Sequence, residues 1–171
     1  EVHLFEKNKT FGGRARRLIK DKFVFDMGPS WYWMPDIIDS FFNDFGKSTS
    51  DFFRLKKLNP AYQVYFGKKD SVLIEDSLGK ICETFESIEP GSSKKLEDFI
   101  KNAEENYNIA IKDYVYKPGI SPLELVSLKT LKKIKYFISN IKTDVEKKFK
   151  NKKIKQILQF PVLFLGAKPS K

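Results

Sequence analysis

Cysteine and histidine each occur once in this 171-residue sequence, at Cys82 and His3, and arginine occurs only at positions 14, 16, 17 and 54. A lone cysteine excludes a disulfide framework and makes a reducing compartment the default. One histidine leaves neither a zinc ligand set nor a Ser-His-Asp triad to assemble. His3 reads as a structural side chain on the same strand face as Phe5, and Cys82 as a small core residue beside Ile81 on a helix. No GxxxxGK[ST] segment supports phosphoryl transfer, and no run of about 18 uncharged apolar residues spans a bilayer. No repeat with a period of 20 to 50 residues is visible.

What the chain does contain is apolar bulk and lysine. Hydrophobic residues make up 41% and aromatic residues 15%, which excludes intrinsic disorder for the whole. The net charge of +10 is not spread evenly: residues 129 to 155 hold eleven lysines against Asp144 and Glu146, while residues 1 to 128 are close to neutral. Arginine, whose planar fork suits phosphate and base recognition, is scarce. A nucleic-acid partner is therefore disfavoured.

The chain opens on a short apolar run, Val2 to Glu6, that reads as a strand ending at an acid. Gly12-Gly13-Arg14-Ala15 is a glycine-rich turn, and two short strands flank Asp21-Lys22 as a hairpin. The segment from Met27 to Met34 is too interrupted for a regular element. Pro35 opens a helix with Ile37, Ile38, Phe41, Phe42 and Phe45 on one face, and Gly46 stops it. Residues 54 to 75 read as β structure, with turns at Asn59-Pro60 and Gly67 to Asp70. Helices follow: one carries Ile81, Phe85 and Ile88, and the next is capped by Ser92 or Ser93 and carries a stripe from Leu96 to Tyr114. After a linker at Pro118-Gly119 and Pro122, a stripe of Leu131, Ile134, Ile138, Ile141, Val145 and Phe149 runs down a lysine-rich helix or helix pair.

Several of these features carry possible chemistry, each with a plainer reading beside it. An acid at a strand end can accept hydrogen bonds from a ribose, as in dinucleotide-binding folds. Glu6 has that position, and on this feature alone the plainer reading, a solvated acid at a strand end, stands ahead. Glycines at 12 and 13 let backbone approach a pyrophosphate, with Arg14 offering bidentate hydrogen bonds, or they form an ordinary turn before a surface arginine. Trp31, Tyr32 and Trp33 can line an apolar channel or plug a core. The lysine-rich stripe can lie on an anionic membrane surface, or face the core with its lysines in water.

Taken together, Glu6-Lys7-Asn8, Gly12-Gly13-Arg14-Ala15 and Phe25-Asp26-Met27-Gly28-Pro29-Ser30-Trp31-Tyr32-Trp33-Met34-Pro35 resemble bacterial-type phytoene desaturases, FAD-dependent enzymes of carotenoid biosynthesis related to flavin-containing amine oxidases. Phe85 to Ser92 and Phe164 to Pro169 continue the resemblance in order through the chain. The Gly-Gly-Arg-Ala turn is shared by many flavin-dependent relatives, whereas the Gly-Pro-Ser-Trp-Tyr-Trp-Met-Pro stretch is narrower. The glycine fingerprint of the family's first strand and its C-terminal FAD segment are not among these residues, so the expectation is an internal fragment that holds FAD weakly on its own.

The resemblance implies an α/β fold: part of a Rossmann-like FAD-binding domain at residues 1 to 50, joined to a mixed β/helical substrate and membrane-associating domain at 51 to 171. It implies that Glu6 binds the adenosine ribose, that Gly12, Gly13, Arg14 and Ala15 line the pyrophosphate region, and that Gly28, Pro29 and Ser30 pass near the flavin. Trp31, Tyr32 and Trp33 are its substrate-channel candidates. It supplies no catalytic acid or base and no metal. The implied activity is FAD-dependent desaturation of phytoene or a related carotenoid precursor by a cytoplasmic protein peripheral at the cytoplasmic membrane. The alternatives are a relative acting on another apolar polyene (a carotenoid isomerase, a retinol saturase or a diapocarotenoid desaturase) and a non-catalytic membrane-surface module.

Overall fold

In the computed structural model, which describes residues 1–28, 31–111, 115, 116, 118, 120, 121, 140–164 and 166–170, the Asp21-Lys22 turn folds β1 (Arg17–Lys20) onto β2 (Phe23–Asp26). The pair is antiparallel, with Leu18 opposite Phe25 and Ile19 opposite Val24. Asp21 takes the turn at φ 55°, a left-handed position that a short polar side chain tolerates. The helix α1 (Pro35–Asn43) begins at its proline and carries Asp36 in its first turn, where the helix dipole favours an acid. It ends as expected at Gly46, whose φ of 65° lets the Gly46 and Lys47 N–H groups return to the Asn43 and Phe42 carbonyls. A one-turn 3-10 helix, Thr49–Asp51, follows, with Ser48 and Asp51 capping one another reciprocally.

These residues belong to the first of two compact units, Glu1–Lys56. One expectation fails within it. Val2 to Glu6 forms no strand, and Val2 and Phe5 are 95% and 92% exposed. A strand exists only when a neighbour satisfies its backbone N–H and C=O groups, and among the described residues none pairs with this run.

The second unit, Lys57–Lys171, is built on a core. Here β3 (Tyr62–Gly67) and β4 (Asp70–Ile74) form an antiparallel hairpin with Val64 opposite Val72 and an irregularity between Tyr65 and Gly67. The period-2 pattern turns Tyr62, Val64 and Phe66 inward beside the buried Val72 and Ile74, and leaves Gln63 and Tyr65 outward. Residues 54 to 61, expected as β, lie outside any strand. Against the hairpin pack α2 (Leu78–Ile88), α3 (Ser92–Ile109), α4 (Ile141–Lys148) and α5 (Lys152–Gln159), and the short α6 (Pro161–Phe164) follows α5. Phe85, Leu96, Val145, Phe149 and Ile154 are at most 2% exposed. Each contributes roughly 1.5–3 kcal/mol by leaving water. Cys82 is buried with them, as its place beside Ile81 suggests.

Two carboxylates of the α2 C-terminal region organise the helix starts around this core. The expectation of a Ser92 or Ser93 cap is corrected: the N-cap of α3 is Gly91 at φ 79°, and Ser92 is fully buried inside the first turn. Serine is displaced because Glu86 does the capping from the preceding helix, accepting from Gly91 N at 2.6 Å and Ser93 N at 2.9 Å. Glu89, 8% exposed, accepts from Lys150 N at 2.9 Å and Asn151 N at 2.7 Å, just ahead of α5, and from Lys95 Nζ at 3.2 Å.

The described part of the lysine-rich stripe belongs to the same core. Val145 and Phe149 are buried and Ile141 packs against them, while Asn140 and Asn151 start a helix pair in place of one continuous helix. Leu131, Ile134, Ile138 and the Pro122 linker lie outside the described residues. Among the described residues, no helix is long and apolar enough to cross a membrane. The described architecture is mixed α/β, helices with two small antiparallel sheets.

Candidate functional site

The glycine-rich turn of the first unit is held by its own backbone. Gly12, at φ 104°, precedes a one-turn 3-10 helix, Gly13–Ala15, and the Ala15 N–H donates to the Gly12 carbonyl at 2.8 Å. Gly13 has φ 52°, so the turn passes through two left-handed positions in succession, which glycine occupies without steric cost. A Cβ on Gly12 would lie 2.9 Å from Arg16 Cα, a distance the backbone does not allow. A Cβ on Gly13 would meet nothing within 4 Å, so the turn presents open space on that side. Arg14 is exposed beside it.

Gly28, distant in sequence, comes to the same place. The Met27 N–H donates to the Arg16 carbonyl at 2.9 Å, extending the hairpin ladder to the turn. A Cβ on Gly28 would stand 3.2 Å from Ala15 Cα and 3.7 Å from the Arg14 carbonyl oxygen. The hairpin thus joins two glycine motifs into one close-packed backbone cradle, in which a side chain at 12 would crowd Arg16 and one at 28 would crowd Ala15. Such a cradle suits a ligand that approaches main chain closely, and a pyrophosphate beside Arg14 fits it.

Glu6 is a half-buried residue, and its Oε1, at an exposed position, accepts from Asn8 N and Asn8 Nδ2, both at 2.8 Å. The pattern Glu6-Lys7-Asn8 is therefore a small turn that fixes the carboxylate. Pro29 and Ser30 lie outside the described residues. His3 stacks on Phe5 with ring centroids 6.5 Å apart, although the strand that alternation assumed does not form and both side chains are exposed.

The aromatic candidates divide. Trp31 and Trp33 face each other at 5.4 Å, whereas Tyr32 points elsewhere and meets the edge of Phe53 at 5.8 Å. Phe42 packs on Phe52 at 4.7 Å and reaches Phe53 at 6.4 Å, and Phe41 links Phe42 to Phe45. Sequence reading missed Phe52 and Phe53. The signal was their adjacency after the Ser48 to Asp51 cap, which returns the chain to α1. Partial burial, and then the nearby Asp39 carboxylate, raise the pKa of the Tyr32 phenol above its ordinary value, so it stays neutral. Met34 sits at φ 49°, a left-handed position for a non-glycine residue, and redirects the chain from the Trp pair into α1. Among the described residues no cluster of His, Cys, Asp or Glu could hold a metal ion.

No family model matches the chain. Individual proteins do. It is 36% identical over 172 residues to the carotenoid 3,4-desaturase of Haloarcula japonica, covering 99% of this chain and 35% of that protein. It is 33% identical over 172 residues to the 4,4'-diapophytoene desaturase (4,4'-diaponeurosporene-forming) of Staphylococcus haemolyticus, covering 99% of this chain and 34% of the relative. The Staphylococcus aureus protein of the same name is 33% identical over 174 residues, covering 100% of this chain and 34% of the relative. The chain thus spans about a third of the length of the curated relatives it matches. From end to end, it is homologous to a segment of the carotenoid desaturases.

Proposed function

We propose that this chain is the part of an FAD-dependent carotenoid desaturase that carries the ribose acid, the pyrophosphate turn and much of the substrate domain. The observation that carries the reading is the end-to-end similarity to proteins named carotenoid 3,4-desaturase and 4,4'-diapophytoene desaturase, together with a glycine turn open to close main-chain approach at Gly13. In this reading residues 1 to 50 belong to a Rossmann-like FAD-binding domain and residues 51 to 171 are largely substrate domain.

FAD, when bound, supplies the hydride acceptor that no amino-acid side chain provides for removing two hydrogens from adjacent carbons. The residues of this chain bind and orient. Glu6, held by Asn8, accepts hydrogen bonds from the ribose hydroxyls. Gly12 and Gly13 give close approach to the pyrophosphate, and Arg14 offers its guanidinium. Gly28 keeps the hairpin end tight against that turn, and the family resemblance alone gives Pro29 and Ser30 a role near the flavin. Trp31, Tyr32 and Trp33 contribute apolar lining for a polyene, which has no polar handle and is held by shape.

Exposed lysines of α4 and α5, with Val145 and Phe149 turned into the core, support peripheral attachment to an anionic membrane surface by charge, without insertion of those side chains. The test is a chimera in which this chain replaces the matching third of the Haloarcula japonica desaturase. Retention of flavin and conversion of a linear carotenoid in liposomes are the expected results. A folded chimera without flavin would overturn the cofactor reading, and one with flavin that converts no carotenoid would overturn the substrate reading.

A further inference from the structure

In the second unit, an open groove of about 870 Å³ runs between the β3–β4 hairpin and the α5–α6 segment. That volume falls within the range of roughly 300–1,000 Å³ typical of small-molecule sites. Its walls are of two kinds. Val64 and Phe66 on one side and Phe160 and Leu163 on the other are apolar, and Leu163 is 60% exposed. Lys152, Lys153, Gln156 and Gln159 add two cations and two amides. The one acid on the lining, Asp70, is already engaged by Lys153 Nζ, and the same ammonium lies 5.7 Å from the centre of the Phe66 ring. Lys153 thus braces the hairpin against α5, and Lys152 remains exposed on the lining.

A cationic, amide-rich rim beside an apolar wall complements a ligand that is anionic at one end and hydrocarbon at the other. We propose that this groove binds a single anionic phospholipid, with its phosphate at Lys152 and Gln156 and an acyl chain along Phe66, Phe160 and Leu163. An inorganic phosphate would leave the apolar wall in water, and a neutral polyene would leave the rim without a partner. The groove deepens the membrane-surface reading above, and monomeric lipid in the test lets it fail while that reading stands.

The test is calorimetric titration of the 171-residue chain with dihexanoyl phosphatidylglycerol below its micelle concentration. Dihexanoyl phosphatidylcholine and glycerol phosphate serve as comparisons. Saturable one-to-one binding of the glycerol lipid is expected, with much weaker binding of both comparisons. Lys152→Glu should weaken it by about fivefold or more, Leu163→Gln should also weaken it, and Lys101→Glu, exposed on α3 and away from the lining, should leave it unchanged. Circular dichroism verifies folding of each variant, and Gln156→Glu replaces Lys152→Glu if the latter does not fold. Equal binding of phosphatidylcholine, equal binding of glycerol phosphate, or an equal loss in Lys101→Glu would each overturn the groove.

Discussion

At the scale of single residues, the strongest constraints fall on groups whose surroundings leave no alternative. Gly28 is one, because its missing Cβ is what lets the hairpin end close on Ala15. Gly28→Val in the desaturase chimera should weaken FAD retention by about tenfold or more, equivalent to ~1.4 kcal/mol. Flavin absorbance after gel filtration reads the outcome, and full retention would remove Gly28 from the cradle. Glu89 is another. Burial alone would raise its pKa, but the Asn151 and Lys150 N–H groups and the Lys95 ammonium outweigh burial and hold it below the usual 4.5. The Gly91 and Ser93 N–H groups lower Glu86 likewise. A depressed folded pKa means the stabilisation is fully present above the unfolded value and is lost as pH falls through the folded one. Thermal melts should therefore show stability falling between about pH 5 and pH 3, and the fall should flatten in Glu86→Gln/Glu89→Gln. Neither carboxylate was legible as a cap in the sequence, because each serves a helix start other than that of its own helix.

At the scale of elements, local signals placed most boundaries and left the faces undecided. The Asp21-Lys22 hairpin, the Pro35 start and the Gly46 stop depend on neighbours in sequence, and they appear where the sequence puts them. The orientation of the lysine-rich stripe does not depend on neighbours alone. An amphipathic helix can bury its apolar face in lipid or in protein, and Phe99 and Leu96 decide for protein by covering Val145 and Phe149. Phe149→Ala should accordingly cost about 3–5 kcal/mol, measured by urea denaturation of the chain. A cost below about 1 kcal/mol would mean that the stripe is not held in the core. The exposed lysines are separable from that packing. Replacing Lys142, Lys147 and Lys150 together by Gln should reduce sedimentation with anionic vesicles at low salt while leaving the denaturation midpoint near its original value. Unchanged sedimentation would refute charge-driven attachment.

At the scale of the whole molecule, the two units differ in what holds them. Among the described residues, every buried side chain lies in Lys57–Lys171, whereas Phe41, Phe45 and Phe52 of Glu1–Lys56 are 57%, 69% and 60% exposed. Local opening is easiest where few apolar groups are buried. Amide exchange should be at least tenfold faster, roughly, in β1 and β2 than at Phe85, Leu96 and Val145. Equal protection would contradict this division. The sequence by itself determined the motifs, the short turns and the kinship to carotenoid desaturases, because each resides in contiguous residues whose chemistry needs no distant partner. Only the tertiary structure decided that Gly28 closes on the Gly-Gly-Arg-Ala turn, that Glu86 and Glu89 cap helices from outside, and that Val145 and Phe149 of the lysine-rich stripe face a core. Those outcomes depend on which surfaces meet across long sequence separations, and burial energy, which has no direction along the chain, selects among them.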